Sequence, residues 1–176
     1  NKLSEEYQIA GIGIDTHMYS VCRRIGDETV VYQWNCVWNR DREMEPVLKE
    51  HLLASGCQND TIFGAYKAAT AEKHPDQPFY AYDLQAYLFR ALTGRLAVDY
   101  STAASGGFFL ATEKKWNLAF MELAGVDCSQ LPDLLLPNDK VGMLKAGLFP
   151  GSENVAAATG LGDGASACYA CKHLSS

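Results

Sequence analysis

This chain has no apolar run long enough to span a bilayer, and its opening residues, Asn1-Lys-Leu-Ser-Glu-Glu6, lack a signal-peptide pattern. Neither a membrane span nor an export route is therefore expected. Basic clusters are missing too. Lys+Arg number 15 against Asp+Glu 21, giving a net charge of −6 and a sequence pI of about 5.1. That balance argues against nucleic acid or an anionic membrane surface as partner. The six cysteines are scattered rather than spaced as a disulfide framework. Cys168-Tyr-Ala-Cys171 is formally a CxxC, but no second Cys or His pair stands at zinc spacing, so no metal site is expected. Buried free thiols in a reducing cytoplasm are the expectation.

What remains is ordinary globular material. The 176 residues suit one domain, and 48% hydrophobic with 11% aromatic residues is enough for a core. Ile9-Ala-Gly-Ile-Gly-Ile14 is apolar throughout, as a strand buried on both faces of a sheet would be. Ser20–Ile25 and Thr29–Trp34 flank Gly26-Asp-Glu28 and predict a hairpin. Helices are expected over Glu43–Ser55, Thr61–Lys73, Tyr82–Leu92 and Trp116–Ala124, each followed by a Gly or Pro stop. Leu131 to Gly142, with two prolines, reads as an irregular crossing. The alternation of strands and helices predicts an α/β class, a mixed sheet flanked by helices.

The stretch that organises the rest is near the end. Val155-Ala-Ala-Ala-Thr159 has strand length, Ala165 to Lys172 is helix-forming, and Gly160-Leu-Gly-Asp-Gly164 between them allows a tight turn. Asp163 would stand at the carboxyl end of a strand and before a helix N-terminus, where open α/β sheets place ligands. From these residues alone two readings stay open: a helix N-cap, or a reactive carboxylate.

The order of motifs along the chain resembles the FGGY family of carbohydrate kinases. The series is Ile12-Gly-Ile-Asp-Thr-His-Met-Tyr19, Val37-Trp38-Asn39 with Arg42, Ala91-Leu-Thr-Gly94, Asp99-Tyr-Ser-Thr-Ala103, Trp116, Leu131-Pro132, Asp139-Lys-Val-Gly142 and Gly160-Leu-Gly-Asp-Gly164. Each piece is weak alone; the ordered set carries the resemblance. It implies an actin-like ATPase (ribonuclease H-like) domain that binds a sugar or polyol, with ATP and Mg²⁺ as co-reactants. It implies cytoplasmic localisation and leaves room for a homodimer. Residues 1–176 would be the N-terminal, sugar-binding domain. An opening hairpin with an Asp-x-Gly-Thr turn would precede Asn1, and an ATP-holding domain would follow Ser176. Most ATP contacts would lie outside this sequence, and the chain alone is expected to be inactive.

The resemblance makes Asp163 the match of the family's catalytic base, accepting the proton of a sugar hydroxyl as it attacks the γ-phosphorus of ATP. Gly162 and Gly164 beside it would approach the nucleotide phosphate. His17, Met18 and Tyr19 stand where relatives carry sugar-contacting side chains. Trp38 matches a pocket-lining tryptophan, with Asn39 an adjacent polar contact. Each has a plainer alternative. The His17–Tyr19 loop is otherwise a packed connection, Trp38 a core residue, and Arg42 a solvated helix-start arginine. Asp99, Ser101 and Thr102 read as a helix cap. Where relatives have Asp-Tyr-Leu ahead of the Leu-Thr-Gly motif, this chain has Ala86-Tyr87-Leu88. The competing function is a non-catalytic sugar-binding or scaffold fragment of a kinase-like protein, and a chance match by an unrelated α/β domain is the third reading.

Overall fold

The structure is a computed structural model and describes residues 6–174. Three strands make the sheet that matters for the site: β1 (Gly11–Thr16), β10 (Lys140–Met143) and β11 (Ala156–Gly162), in the order β1-β11-β10, with β1 parallel and β10 antiparallel to β11. A second sheet holds β2 (Val21–Ile25), β3 (Glu28–Tyr32), β4 (Phe79–Tyr80) and β8 (Val126–Asp127) in the order β3-β2-β4-β8. β5 (Ala97–Asp99) pairs in parallel with β9 (Asp133–Leu135), and β6 (Phe109–Leu110) pairs with β7 (Lys115–Trp116). Helices α1 (Glu45–Ala54), α2 (Gly64–Thr70), α3 (Leu84–Thr93), α4 (Tyr100–Gly106), α5 (Leu118–Ala124) and α6 (Asp163–Leu174) pack around them.

The hairpin expectation is met: β2 and β3 pair across Gly26-Asp27, with Gly26 at φ 61°. The helix over Glu43–Ser55 forms as α1, with Pro46 in its first turn. α3 begins at its cap Asp83, whose carboxylate accepts the Ala86 N–H, and stops at Gly94 with φ 85°. Leu48, Leu52, Tyr66, Phe120 and Met121 are fully buried where α1, α2 and α5 meet.

Five expectations need correction. β1 is not buried on both faces: Gly11, Gly13 and Asp15 are exposed, while Ile12 and Ile14 pack on the Phe89–Val141–Val155 core. Counting glycine as apolar hid a period-two strand with a bare face. The crossing from Leu131 to Gly142 is not irregular, since it contains β9 and the start of β10. Helix α2 covers Gly64–Thr70 rather than 61–73, because Asp60 holds the Ile62 N–H in a turn and the chain leaves the helix at Ala71. The last strand does not end at Thr159. β11 runs through Gly160 and Gly162 straight into α6. Cys168 and Cys171, expected to be buried, are exposed, because α6 packs on the sheet mainly by its first turns. Among the described residues no helix is long and apolar enough to cross a membrane.

Candidate functional site

β1 and β11 are parallel neighbours, so their carboxyl ends open at the same edge, with Thr16 opposite Gly162. The loop His17–Tyr19 leaves one strand, and Asp163 follows the other. Asp163 is exposed and is the first residue of α6. Its carboxylate accepts the N–H of Gly164, one residue on, at 2.9 Å. An N-cap would serve amides two or three residues ahead. The carboxylate therefore faces solvent at the helix end that favours negative charge.

The chain reaches this arrangement by close approach. A Cβ on Gly162 would lie 2.5 Å from Met18 Cγ and 2.6 Å from its Sδ; one on Gly164 would lie 3.0 Å from Met18 Cε. Met18 thus packs across the two glycines that flank Asp163. A Cβ on Gly160 would lie 2.0 Å from Asp15 Oδ1. That absence lets the Asp15 carboxylate bracket the turn, accepting the Leu161 N–H at 2.8 Å and the Ser166 hydroxyl at 2.8 Å.

A buried relay holds the same edge from behind. The Gly162 N–H donates to Ser101 Oγ at 3.3 Å, and that hydroxyl donates to Asp99 Oδ1 at 2.5 Å. Thr102 Oγ1 donates to Asp99 Oδ2 at 2.5 Å, and the Ser101 and Thr102 N–H groups also point at Oδ1, which is the cap the sequence predicted. The Asp99 N–H donates to Gln85 Oε1, and Gln85 Nε2 donates to the Ile14 carbonyl at 3.2 Å. Gln85 and Asp99 are fully buried. The sequence singled out neither Asp15 nor Gln85, and it read Ser101 only as part of the Asp99 helix cap. Their partners are distant in the chain, and only the closing Gly-x-Gly spacing hinted at a close approach.

The expected pocket residues do not all converge. His17 is half-buried with its Nε2 unpartnered, and the neighbouring Thr16 Oγ1 is likewise buried without a partner. Tyr19 takes a left-handed backbone, φ 66°, and sets its ring edge-on to Phe63 with centroids 5.3 Å apart. There it lines an open cavity of about 620 Å³ together with Ser55, Gln58, Asp60 and Ser105. Trp38 and Asn39 line a different groove, beside Arg23 and Glu72. The Trp38 indole N–H is taken by Thr70 Oγ1 at 2.8 Å, and its ring stands edge-on to Tyr32. The Gly162 amide is engaged by Ser101 and the Gly164 amide by Asp163, so neither N–H is left over for a phosphate.

The model of the FGGY family of carbohydrate kinases, N-terminal domain, matches residues 79–170, more than half of the chain. The chain belongs to the FGGY family. No curated protein matches the sequence. Among solved structures it is similar to gluconate kinase from Lactobacillus acidophilus, with TM-score 0.78 and 19% identity over 93% of this chain and 37% of that one. It is also similar to Plasmodium falciparum glycerol kinase with ADP (TM-score 0.75, 19% identity, 95% and 37% covered) and to xylulose kinase from Rhodospirillum rubrum (0.74, 17%, 96% and 37%). The chain thus spans little more than a third of the length of these proteins. At such identities the likeness is one of fold, and it bears out the mixed α/β sugar-kinase architecture of the actin-like ATPase class. The stretch that matches the FGGY model includes Asp163 and its two glycines, whereas His17–Tyr19, Trp38 and Asn39 lie outside it.

Proposed function

We propose that this chain is the sugar-binding domain of an ATP-dependent carbohydrate kinase, with Asp163 as the general base. The observation that carries this reading is the Asp163 carboxylate, exposed at the carboxyl end of β11 and held there by Met18, Asp15 and the Ser101–Asp99 relay. A hydroxyl of a ketose or polyol placed against it gives up its proton to the carboxylate as the oxygen forms its bond to phosphorus. ATP with Mg²⁺ supplies the γ-phosphoryl group, and ADP leaves. His17 Nε2 and Thr16 Oγ1 are buried without partners at the same edge, and on this reading they hydrogen-bond the sugar once the loop shifts to uncover them.

The glycerol kinase relative was solved with ADP, which supports ATP as the donor. Among the described residues no cluster of His, Cys, Asp or Glu could hold a metal ion by itself, so on this reading Mg²⁺ would come with the nucleotide phosphates and Asp163 is left free as the base. Further nucleotide contacts belong, on this reading, to the part of the relatives' length that this chain does not span. The protein is a cytoplasmic enzyme of carbohydrate metabolism on the same reading. A non-catalytic sugar-binding role is the alternative. A coupled ADP-release assay over a panel of ketoses and polyols, with Asp163→Asn as control, separates the two: turnover that vanishes in the variant supports the kinase, and sugar binding without turnover supports the alternative.

A further inference from the structure

Arg23 and Lys73 are neighbouring cations that no carboxylate balances. Arg23 lies on β2 with 8% of its surface exposed, and its guanidinium carbon stands 4.7 Å from the centre of the Phe79 ring. Its Nε donates to the Gln77 carbonyl at 3.1 Å and its Nη2 to the Glu72 carbonyl at 2.9 Å. Two of its five N–H groups are thereby paired, and Nη1, which has no acceptor, is not sealed from solvent. The Lys73 ammonium donates to the Ala68 carbonyl at 2.9 Å and to the Ala124 carbonyl, in the last turns of α2 and α5. One of its three N–H groups is left over. Among the described residues neither cation makes an ion pair.

Capping of backbone carbonyls accounts for those bonds but not for the surplus charge, since a neutral amide donates to a carbonyl as well. Charge withdrawn from water is costly unless an anion meets it. Burial first, and the Arg23 charge after it, hold the Lys73 ammonium below its ordinary value, so the two charges repel one another. Both line one open cavity of about 310 Å³, the size of a small-ligand site, and Arg23 also borders the Trp38 groove. His74 stands exposed at its rim, and Pro75, Pro78 and Phe79 give it apolar walls. Among the described residues its lining holds one carboxylate, Glu72. That side chain is 83% exposed and turned to His74 Nε2 at 3.6 Å, not to Arg23 or Lys73.

We infer that this cavity binds a phosphoryl group, with Arg23 Nη1 and Lys73 Nζ on its oxygens and the rest of the ligand against Pro75 and Pro78. Two cations without a counter-charge match a doubly charged oxyanion, and each then gains a charge-assisted hydrogen bond. A phosphate monoester carries roughly −1.5 to −2 charges at pH 7 and three acceptor oxygens, whereas a carboxylate brings a single charge. The group arrives either as inorganic phosphate or as the phosphate ester of a small molecule. No residue of this cavity belongs to the edge that carries Asp163, so the site is separate from the proposed reaction centre. Occupancy joins β2, through Arg23, to the ends of α2 and α5, which Lys73 already holds together.

Hydrogen exchange of the natural protein, read on the segment 72–80, tests the site with three probes at equal ionic strength: inorganic phosphate, glycerol 3-phosphate and acetate. Reading that segment keeps phosphate bound elsewhere out of the result. Both phosphates are expected to slow exchange there several-fold at saturation, and acetate to leave it unchanged. Titrating the protection gives the affinity. Arg23→Gln and Lys73→Gln are each expected to weaken phosphate about tenfold or more, the loss of one charge-assisted hydrogen bond. Glu72→Gln, which removes an exposed negative charge, is expected to tighten it about two- to threefold. Tighter binding of glycerol 3-phosphate assigns the site to organic phosphates lying on the prolines, and equal binding assigns it to the free ion. Unchanged exchange with both phosphates overturns the site, and so does acetate protecting as well as phosphate. Wild-type affinity in both Arg23→Gln and Lys73→Gln overturns it too. If the buried Arg23→Gln variant fails to fold, the exposed Lys73→Gln and Glu72→Gln variants decide, the first losing affinity and the second gaining it.

Discussion

The Asp15 carboxylate accepts the backbone N–H of Leu161 at 2.8 Å across 146 positions of sequence, and with its other oxygen takes the Ser166 hydroxyl. Those two partners lie on either side of Asp163. One side chain on β1 therefore fixes the turn that carries the proposed base on β11.

Replacing Asp15 with Ala should loosen that turn without unfolding the domain, because Asp15 is exposed and its bonds are local to the edge. A misplacement of the base by about 1 Å costs on the order of a hundredfold in turnover. The expected result is a fall in kcat of about ten- to a hundredfold with the sugar KM little changed, and faster hydrogen exchange at the Leu161 amide. Asp15→Asn, which keeps one acceptor oxygen for that amide, should recover most of the loss. Equal kcat in Asp15→Ala and the wild type contradicts the clamp.

Gly162→Ala should be destabilising, since the added Cβ would lie 2.5 Å from Met18 Cγ. Forcing a packed side chain aside costs about 1–3 kcal/mol. Met18→Ala in the Gly162→Ala background should restore part of that loss, measured by urea unfolding as a double-mutant cycle. Additive losses in the double variant contradict the contact.

Asp83 gives a pH dependence. Burial first, and the nearby Asp99 carboxylate in addition, push its carboxyl up to about 7 from 3.8, against the pull of the Ala86 N–H. A carboxyl raised in the folded state binds more protons there than in the unfolded chain between those two values. Stability from this group is thus complete below pH 4 and is lost as the pH rises through 7. Asp83→Asn keeps a capping oxygen for Ala86 and removes the charge. Its thermal midpoint should exceed the wild type's by several degrees at pH 8 and approach it near pH 5, by scanning calorimetry. A constant difference across that range contradicts the assignment.

The elements written in strong local signals were legible. Pro46 and Gly56 bound α1, Asp83 and Gly94 bound α3, and Gly26 turned the β2–β3 hairpin, each by the conformation that residue type prefers. What the sequence obscured was tertiary. Gly11 and Gly13 looked like core but form an exposed face, and Gly160 and Gly162 looked like a loop but are strand residues into which Asp15 and Met18 fit. Asp163 was visible because a lone carboxylate among glycines is conspicuous. Asp15 and Gln85, which hold its setting, were not, and Ser101 was legible only as a cap residue, since a hydrogen bond to a distant backbone group leaves no spacing to read.

The central claim is that Asp163 accepts the proton of a sugar hydroxyl during phosphoryl transfer. The most direct test is initial-rate phosphorylation of a ketose and polyol panel by the natural protein with ATP and Mg²⁺, wild type against Asp163→Asn. The account predicts a substrate in the panel that is phosphorylated by the wild type, with kcat lowered about a hundredfold or more in the variant and sugar affinity retained. Equal turnover in the two proteins would contradict it.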